Sequence, residues 1–178
     1  MTTLLFVLAF CIVAVLVYMA RYSARLQVTQ TRLIDAPIRD VYAKVADFRR
    51  WVEWNPWLEH DAAAATSISA IADQAGSRYA WNSRRAGAAS IEHQRLVAPS
   101  AIEQRLSFEQ PFRFRGRGYW QFTERGGKTE VNWRMKGRVG FSLRAFASTV
   151  QGMIALDFRY GLDRLAGLLE PATSPRPG

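Results

Sequence analysis

RGRGYWQFTERGGKTEVNWRMKGR, residues 115–138, decides the fold. Two runs of alternating bulky and polar side chains, Arg115 to Glu124 and Thr129 to Arg138, meet at Gly126-Gly127. A glycine pair between such runs signals a hairpin, because glycine adopts the positive φ that a tight turn needs. Alternation also assigns the faces, since successive side chains of a strand point to opposite sides. Thr129, Val131, Trp133 and Met135 share one face, and Glu130, Asn132, Arg134 and Lys136 the other. Likewise Phe114, Trp120 and Phe122 oppose Arg113, Arg115, Arg117, Tyr119 and Gln121. One apolar and one charged face is the pattern of an antiparallel sheet packed on one side only. The lone Gly116-Arg117-Gly118 within the first run reads as a bend or bulge.

Upstream, period-two stretches recur at Thr66 to Ala72, Ser77 to Ser83, Ser90 to Ala98 and Ala101 to Phe108, punctuated by Gly76, Gly87, Pro99 and Pro111. With RLQVTQTRLI at residues 25–34 they bring the expected sheet to seven strands. A helix follows the first strand, with Asp35 as its expected N-cap, Pro37 in its first turn and Ile38, Val41, Tyr42 and Val45 at helical spacing. A second short helix is expected over Phe48 to Trp54. Downstream, Leu143, Phe146, Val150, Ile154, Phe158, Leu162, Leu165 and Leu169 recur at three and four, which predicts one long amphipathic helix ending near Glu170. PATSPRPG, residues 171–178, reads as a disordered tail. The fold class is thus α+β: a bent seven-stranded antiparallel sheet around one long C-terminal helix. A single helix does not fill the concave side of such a sheet, so a cavity is expected between them.

Ahead of all this, residues 2–20 carry no charge. Nineteen residues at about 1.5 Å each give about 28 Å of helix, which matches a hydrocarbon core of about 30 Å. No basic segment precedes the run, so an uncleaved transmembrane anchor over residues 1–20 is expected rather than a signal peptide. Arg21, Arg25 and Arg32 follow it, and the positive-inside bias then places residues 21–170, the single folded domain, in the cytoplasm. The net charge of +9 comes almost wholly from dispersed arginines, for only Lys44, Lys128 and Lys136 are lysines. A nearby anionic membrane surface accounts for that charge, and no nucleic-acid partner is expected. The sole cysteine, Cys11, lies in the apolar run, so no intrachain disulfide forms.

IDAPIRDVYAKVADFRRWVEWNPW (34–57), GSRYAWNS (76–83), QPFRFRGRGYWQF (110–122), TEVNWRMKG (129–137) and FRYGLDRL (158–165) resemble the helix-grip superfamily. That superfamily, also called SRPBCC, includes START-related lipid-binding domains, the Bet v 1 allergens and polyketide cyclase/dehydrase-like proteins. The resemblance covers the chain after residue 20 and is similar in pattern to a bacterial branch with an N-terminal membrane helix, which implies a single-pass protein of the bacterial inner membrane. Its motifs are specific for the fold and poorly specific for activity.

The chemistry-bearing residues are few. HExxH, CxxC, P-loop and GxSxG patterns are absent, so neither metal nor cofactor is expected. Only His60 and His93 titrate near neutrality in their ordinary state. His60 stands in a loop that reads as solvated surface. His93 lies mid-strand beside Glu92, and one of these neighbours must face the concave side. Either could transfer a proton in an aldol cyclisation or dehydration; the bland reading is an exposed polar pair.

The expected cavity lining is apolar. It comprises Tyr79 and Trp81, then Ile102, Leu106 and Phe108, then Phe114, Trp120 and Phe122, then Val131, Trp133 and Met135, with Met153 and Ile154 from the long helix. Most of the six tryptophans are read as packing residues. Arg113, Arg115 and Arg117 make a basic stripe that suits a solvated outer face or contact with anionic headgroups. The leading expectation is a membrane-tethered domain that binds a hydrophobic small molecule or lipid without catalysis. The alternatives are a cyclase or dehydratase acting through His93 or Glu92, and an interaction module whose core is filled by its own side chains.

Overall fold

A computed structural model describes residues 2–21, 24–58, 61, 64–85, 87–110, 113–139 and 146–171. Helix α1 (Thr2–Arg21) precedes strand β1 (Ala24–Ile34), helix α2 (Ile38–Ala46) and two 3₁₀ segments, Phe48–Glu53 and Pro56–Leu58. Strands β2 (Ala65–Ile68), β3 (Arg78–Ser83), β4 (Gly87–Val97), β5 (Ala101–Gln110), β6 (Phe114–Arg125) and β7 (Lys128–Val139) follow, and helix α3 (Ala147–Leu169) closes the fold. The seven strands form one antiparallel sheet in the order β1-β7-β6-β5-β4-β3-β2. Each strand after the first therefore pairs with its neighbour in sequence, and β1 returns to pair with the last. Gly126 and Gly127 hold φ of 58° and 81° in the β6–β7 turn, the left-handed geometry for which the glycine pair is suited.

The expected facing of the residues holds along the strands. Val131, Trp133, Met135, Trp120 and Phe122 are all buried on the concave side. Phe48, Trp51 and Trp54 of the first 3₁₀ segment and its cap join them in one aromatic core. The C-terminal half of α3 seals this core through Phe158, Gly161, Leu162, Leu165 and Ala166. Phe158 stacks on Trp133 with centroids 3.6 Å apart, and Trp133 stacks in turn on Trp120 at 4.2 Å.

Gly161 is a point of close approach between α3, Pro56 and the sheet. A Cβ there would lie 3.0 Å from Pro56 Cδ and 3.3 Å from the Trp133 ring, whereas one at Gly152 would meet nothing within 4 Å. Both positions are helical, so alanine gains about 0.5–1 kcal/mol of helix propensity at either. Overpacking, worth about 1–3 kcal/mol, opposes that gain only at Gly161. Urea unfolding is expected to show Gly152→Ala stabilised and Gly161→Ala destabilised. Equal effects would mean that α3 does not press on the sheet at this point.

Two expectations about local structure need correction. Pro37, not Asp35, is the N-cap residue of α2, and no side chain caps that helix. Asp35 instead accepts a hydrogen bond from Lys128 Nζ at 2.7 Å, since chain folding brings β7 beside it. Gly116-Arg117-Gly118 is not a bulge, because the β5–β6 and β6–β7 registers run through it without a shift. The irregularities lie in the β4–β5 pairing, one between Ala88 and Ala89 and the other between His93 and Arg95.

The transmembrane span and the inner-membrane placement built on it are also corrected: among the described residues no helix is long and apolar enough to cross a membrane. His60, Leu143 and the tail from residue 172 lie outside the described residues.

Candidate functional site

The two halves of α3 behave differently. Its C-terminal half is locked to the aromatic core, while Val150, Met153, Ile154 and Asp157 of its N-terminal half border a cavity of about 440 Å³. Leu26 of β1, Met135 of β7 and Phe114 of β6 form the sheet side. Phe108 and Gln110 close it from β5, and Pro56 and Trp57 from the second 3₁₀ segment. Asp61 and Arg85 reach it from the connecting segments. The walls are thus largely hydrocarbon and aromatic. Asp61, Arg85, Gln110 and Asp157 are its polar members, and Ser83 Oγ donates to Asp61 Oδ2 at 2.7 Å. A concave apolar volume with a few polar groups is the usual form of a small-molecule site.

The expected lining residues divide into two groups. Phe108, Phe114, Met135, Met153 and Ile154 are brought together around the cavity. Tyr79, Trp81, Ile102, Leu106, Trp120, Phe122, Val131 and Trp133 face the same concave side but are packed into the core, all at 3% exposure or less. The division has a clear cause. Trp51, Trp54 and the C-terminal half of α3 cover the middle of the sheet, and among the described residues the cavity lies beside Phe108, Gln110 and Phe114. Leu26 and Val150 carried period-two and helical signals that sequence reading could have used. Pro56, Trp57, Asp61 and Arg85 sit on irregular backbone, where no periodicity marks an inward-facing side chain.

His93 and Glu92 part company. Glu92 lies on the outer face, 3.8 Å from Arg105. His93 is fully buried, although not against the cavity. Its ring stacks on Phe48 with centroids 4.0 Å apart and planes within 7°. Nε2 lies 2.8 Å from the Ala46 carbonyl oxygen, which can only accept, so Nε2 carries the proton. Nδ1 is then bare and accepts from Gln104 Nε2 at 3.4 Å, and Gln104 Oε1 accepts from the Trp120 indole at 3.0 Å. Burial disfavours the imidazolium and pulls the His93 pKa down to about 4, outweighing the opposite pull of the Ala46 carbonyl and of Asp73. His93 is therefore neutral at pH 7 and ties the end of α2 to the sheet. This corrects both sequence readings of His93, as a cavity-facing acid or base and as an exposed polar residue. The 3₁₀ segment that covers it is far away in sequence.

Two other features lie outside the cavity. A second hollow of about 560 Å³ is lined by polar groups, Asp47, Arg50, Asp73 and Gln74 among them, and in equal measure by alanines and Leu96. Asp47 there is engaged by Arg49 at 2.9 Å. Arg115 and Arg117 are exposed on the outer sheet face, and Arg113 and Arg115 lie 3.6 and 3.9 Å from Glu109.

Solved structures share this architecture. Protein CV1439 of Chromobacterium violaceum is 15% identical, with 82% of this chain and 97% of that one covered at a TM-score of 0.63. CalU16 of Micromonospora echinospora is 13% identical over 85% and 88% of the two chains at 0.54. The Aha1 dimer of Colwellia psychrerythraea is 14% identical over 84% and 99% at 0.59. At such identities the likeness concerns the fold alone. None of the curated proteins matches the chain. Residues 25–170 match the family model described as polyketide cyclase/dehydrase and lipid transport.

Proposed function

The chain belongs to the polyketide cyclase/dehydrase and lipid transport family, and from that premise we propose that it binds a hydrophobic small molecule or lipid in the cavity beneath the N-terminal half of α3. The observation that carries this reading is the cavity of about 440 Å³ walled by Leu26, Phe108, Phe114, Met135, Val150 and Ile154. Removing an apolar ligand from water into such a space gains about 25 cal/mol for each Å² of apolar surface buried. Binding without chemistry is favoured by the positions of His93 and Glu92. One is held neutral in the core and the other faces outward, so they do not supply an acid and a base to one bound molecule.

Solvent extraction and mass spectrometry of the purified full-length protein, paired with titration by N-phenyl-1-naphthylamine, tests the reading. A copurifying apolar compound, or saturable binding of the probe, is expected. A folded protein that carries nothing and binds no probe would favour the interaction module with a filled core.

A further inference from the structure

We propose that the glycine pair Gly116–Gly137 sets the depth of this cavity by giving the Phe114 ring a niche in the sheet, and so determines the largest ligand that enters. The inference rests on the binding reading above and concerns which molecules that site accepts.

Leu26, Gly137, Gly116 and Leu106 lie opposite one another in one row across β1, β7, β6 and β5. All four positions face the concave side, so two adjacent glycines leave a trough where side chains would otherwise project. Phe114, two residues before Gly116 on the same face, lays its ring into that trough. A Cβ on Gly137 would sit 2.3 Å from Phe114 Cζ and 2.5 Å from its Cε2, and one on Gly116 would sit 2.8 Å from the ring. The ring thus occupies the volume that two ordinary residues would fill. Phe108 braces it edge-on with centroids 5.9 Å apart, and it is 4% exposed.

The position of the ring matters because Phe114 is itself a wall of the cavity, beside Leu26 and Met135. Sunk into the trough, it leaves the space beneath Val150 and Ile154 open. A methyl group at residue 137 takes its place and pushes the ring towards α3, into the cavity. A Cβ on Gly116 would also lie 2.6 Å from the Lys136 carbonyl oxygen, so close backbone approach and the Phe114 ring together keep these positions free of side chains.

The experiment titrates the full-length protein with a small probe, 2-naphthol, and a larger one, N-phenyl-1-naphthylamine. Gly137→Ala is expected to weaken the larger probe by about tenfold or more, the worth of one misplaced methyl or methylene group in an apolar pocket, and to spare the smaller one. Phe114→Ala is expected to shift selectivity the other way, and Gly137→Ala/Phe114→Ala to recover the larger probe. Because Gly137→Ala also brings its Cβ 2.9 Å from the Arg115 carbonyl oxygen, it is checked by circular dichroism; if it does not fold, Phe114→Ala decides alone. A wild-type protein that binds both probes, with a preference between them that Phe114→Ala does not change, overturns this inference and leaves the binding reading standing. A wild-type protein that binds neither overturns both.

Discussion

Replacing Trp133 by alanine is expected to cost about 3–5 kcal/mol of stability, the usual loss for a large aromatic truncated in a close-packed core. Trp133 is 2% exposed and is held on both faces, by Phe158 at 3.6 Å and by Trp120 at 4.2 Å. Trp54 and Trp57 meet it edge-on at 6.2 and 5.8 Å. Partners drawn from β6, α3 and both 3₁₀ segments cannot all follow a retreating side chain, so the cavity left behind stays open. With domains stable by about 5–15 kcal/mol, such a loss is a large fraction of the total. Trp57→Ala is the comparison, because Trp57 is only partly buried and borders space that already exists. Urea unfolding of the two variants should place Trp133→Ala well below Trp57→Ala. The reverse order would mean that the stacked column is not the centre of the fold.

The second large effect is a loss of stability in acid that traces to His93. Its pKa is about 4 in the folded protein against an ordinary 6.5. A lowered pKa on a cationic acid means that the unfolded chain takes up the proton first. Stability from this residue is fully present above about pH 6.5, falls progressively as the pH drops towards 4 and levels off below it. The difference corresponds to about 3 kcal/mol. His93→Gln removes the titration while keeping a donor and an acceptor among Ala46, Gln104 and Phe48. Carboxylates titrate in both proteins and cancel in the comparison. Unfolding at pH 7.5 and at pH 4 should show a decline that is smaller in the variant by that amount. Parallel declines would mean that the imidazole is solvated in the folded state.

These two residues mark what sequence reading captures and what it leaves out. Trp133 could be placed because period-two alternation on β7 puts residues 129, 131, 133 and 135 on one face, and the face with tryptophan and valine has to be the buried one. The same logic showed that His93 or Glu92 points inward. It did not show what covers them, for that depends on how the Phe48–Glu53 segment packs on a strand some forty residues later. Gly116 illustrates the same limit. Glycine in a strand reads as a local backbone feature, and the 2.6 Å from a Cβ there to the Lys136 carbonyl oxygen agrees, but the 2.8 Å to the ring of Phe114 on the same face has no mark in the sequence. The cavity itself followed from the element order, one helix against seven strands. Its border could not be read so closely, because Asp61 and Arg85 sit on irregular backbone and because the core claims most of the aromatic residues that sequence reading assigned to the lining. Residues 2–20 show the limit of composition, since an apolar run long enough by count does not yield, among the described residues, a helix able to span a bilayer.

The central claim is that an apolar molecule enters the space beneath α3, and energy transfer tests it most directly. Trp57 lines the cavity and Trp81 stacks on it at 5.3 Å, so N-phenyl-1-naphthylamine bound there should quench tryptophan emission at saturating, stoichiometric probe. Ile154→Glu places a carboxylate in the apolar wall contributed by a half-buried position of α3, where an unpaired charge is strongly disfavoured. The expected result is saturable transfer in the wild type that is lost in Ile154→Glu while the variant keeps its fold. Absence of transfer in the wild type, or equal transfer in a folded Ile154→Glu protein, would contradict the account.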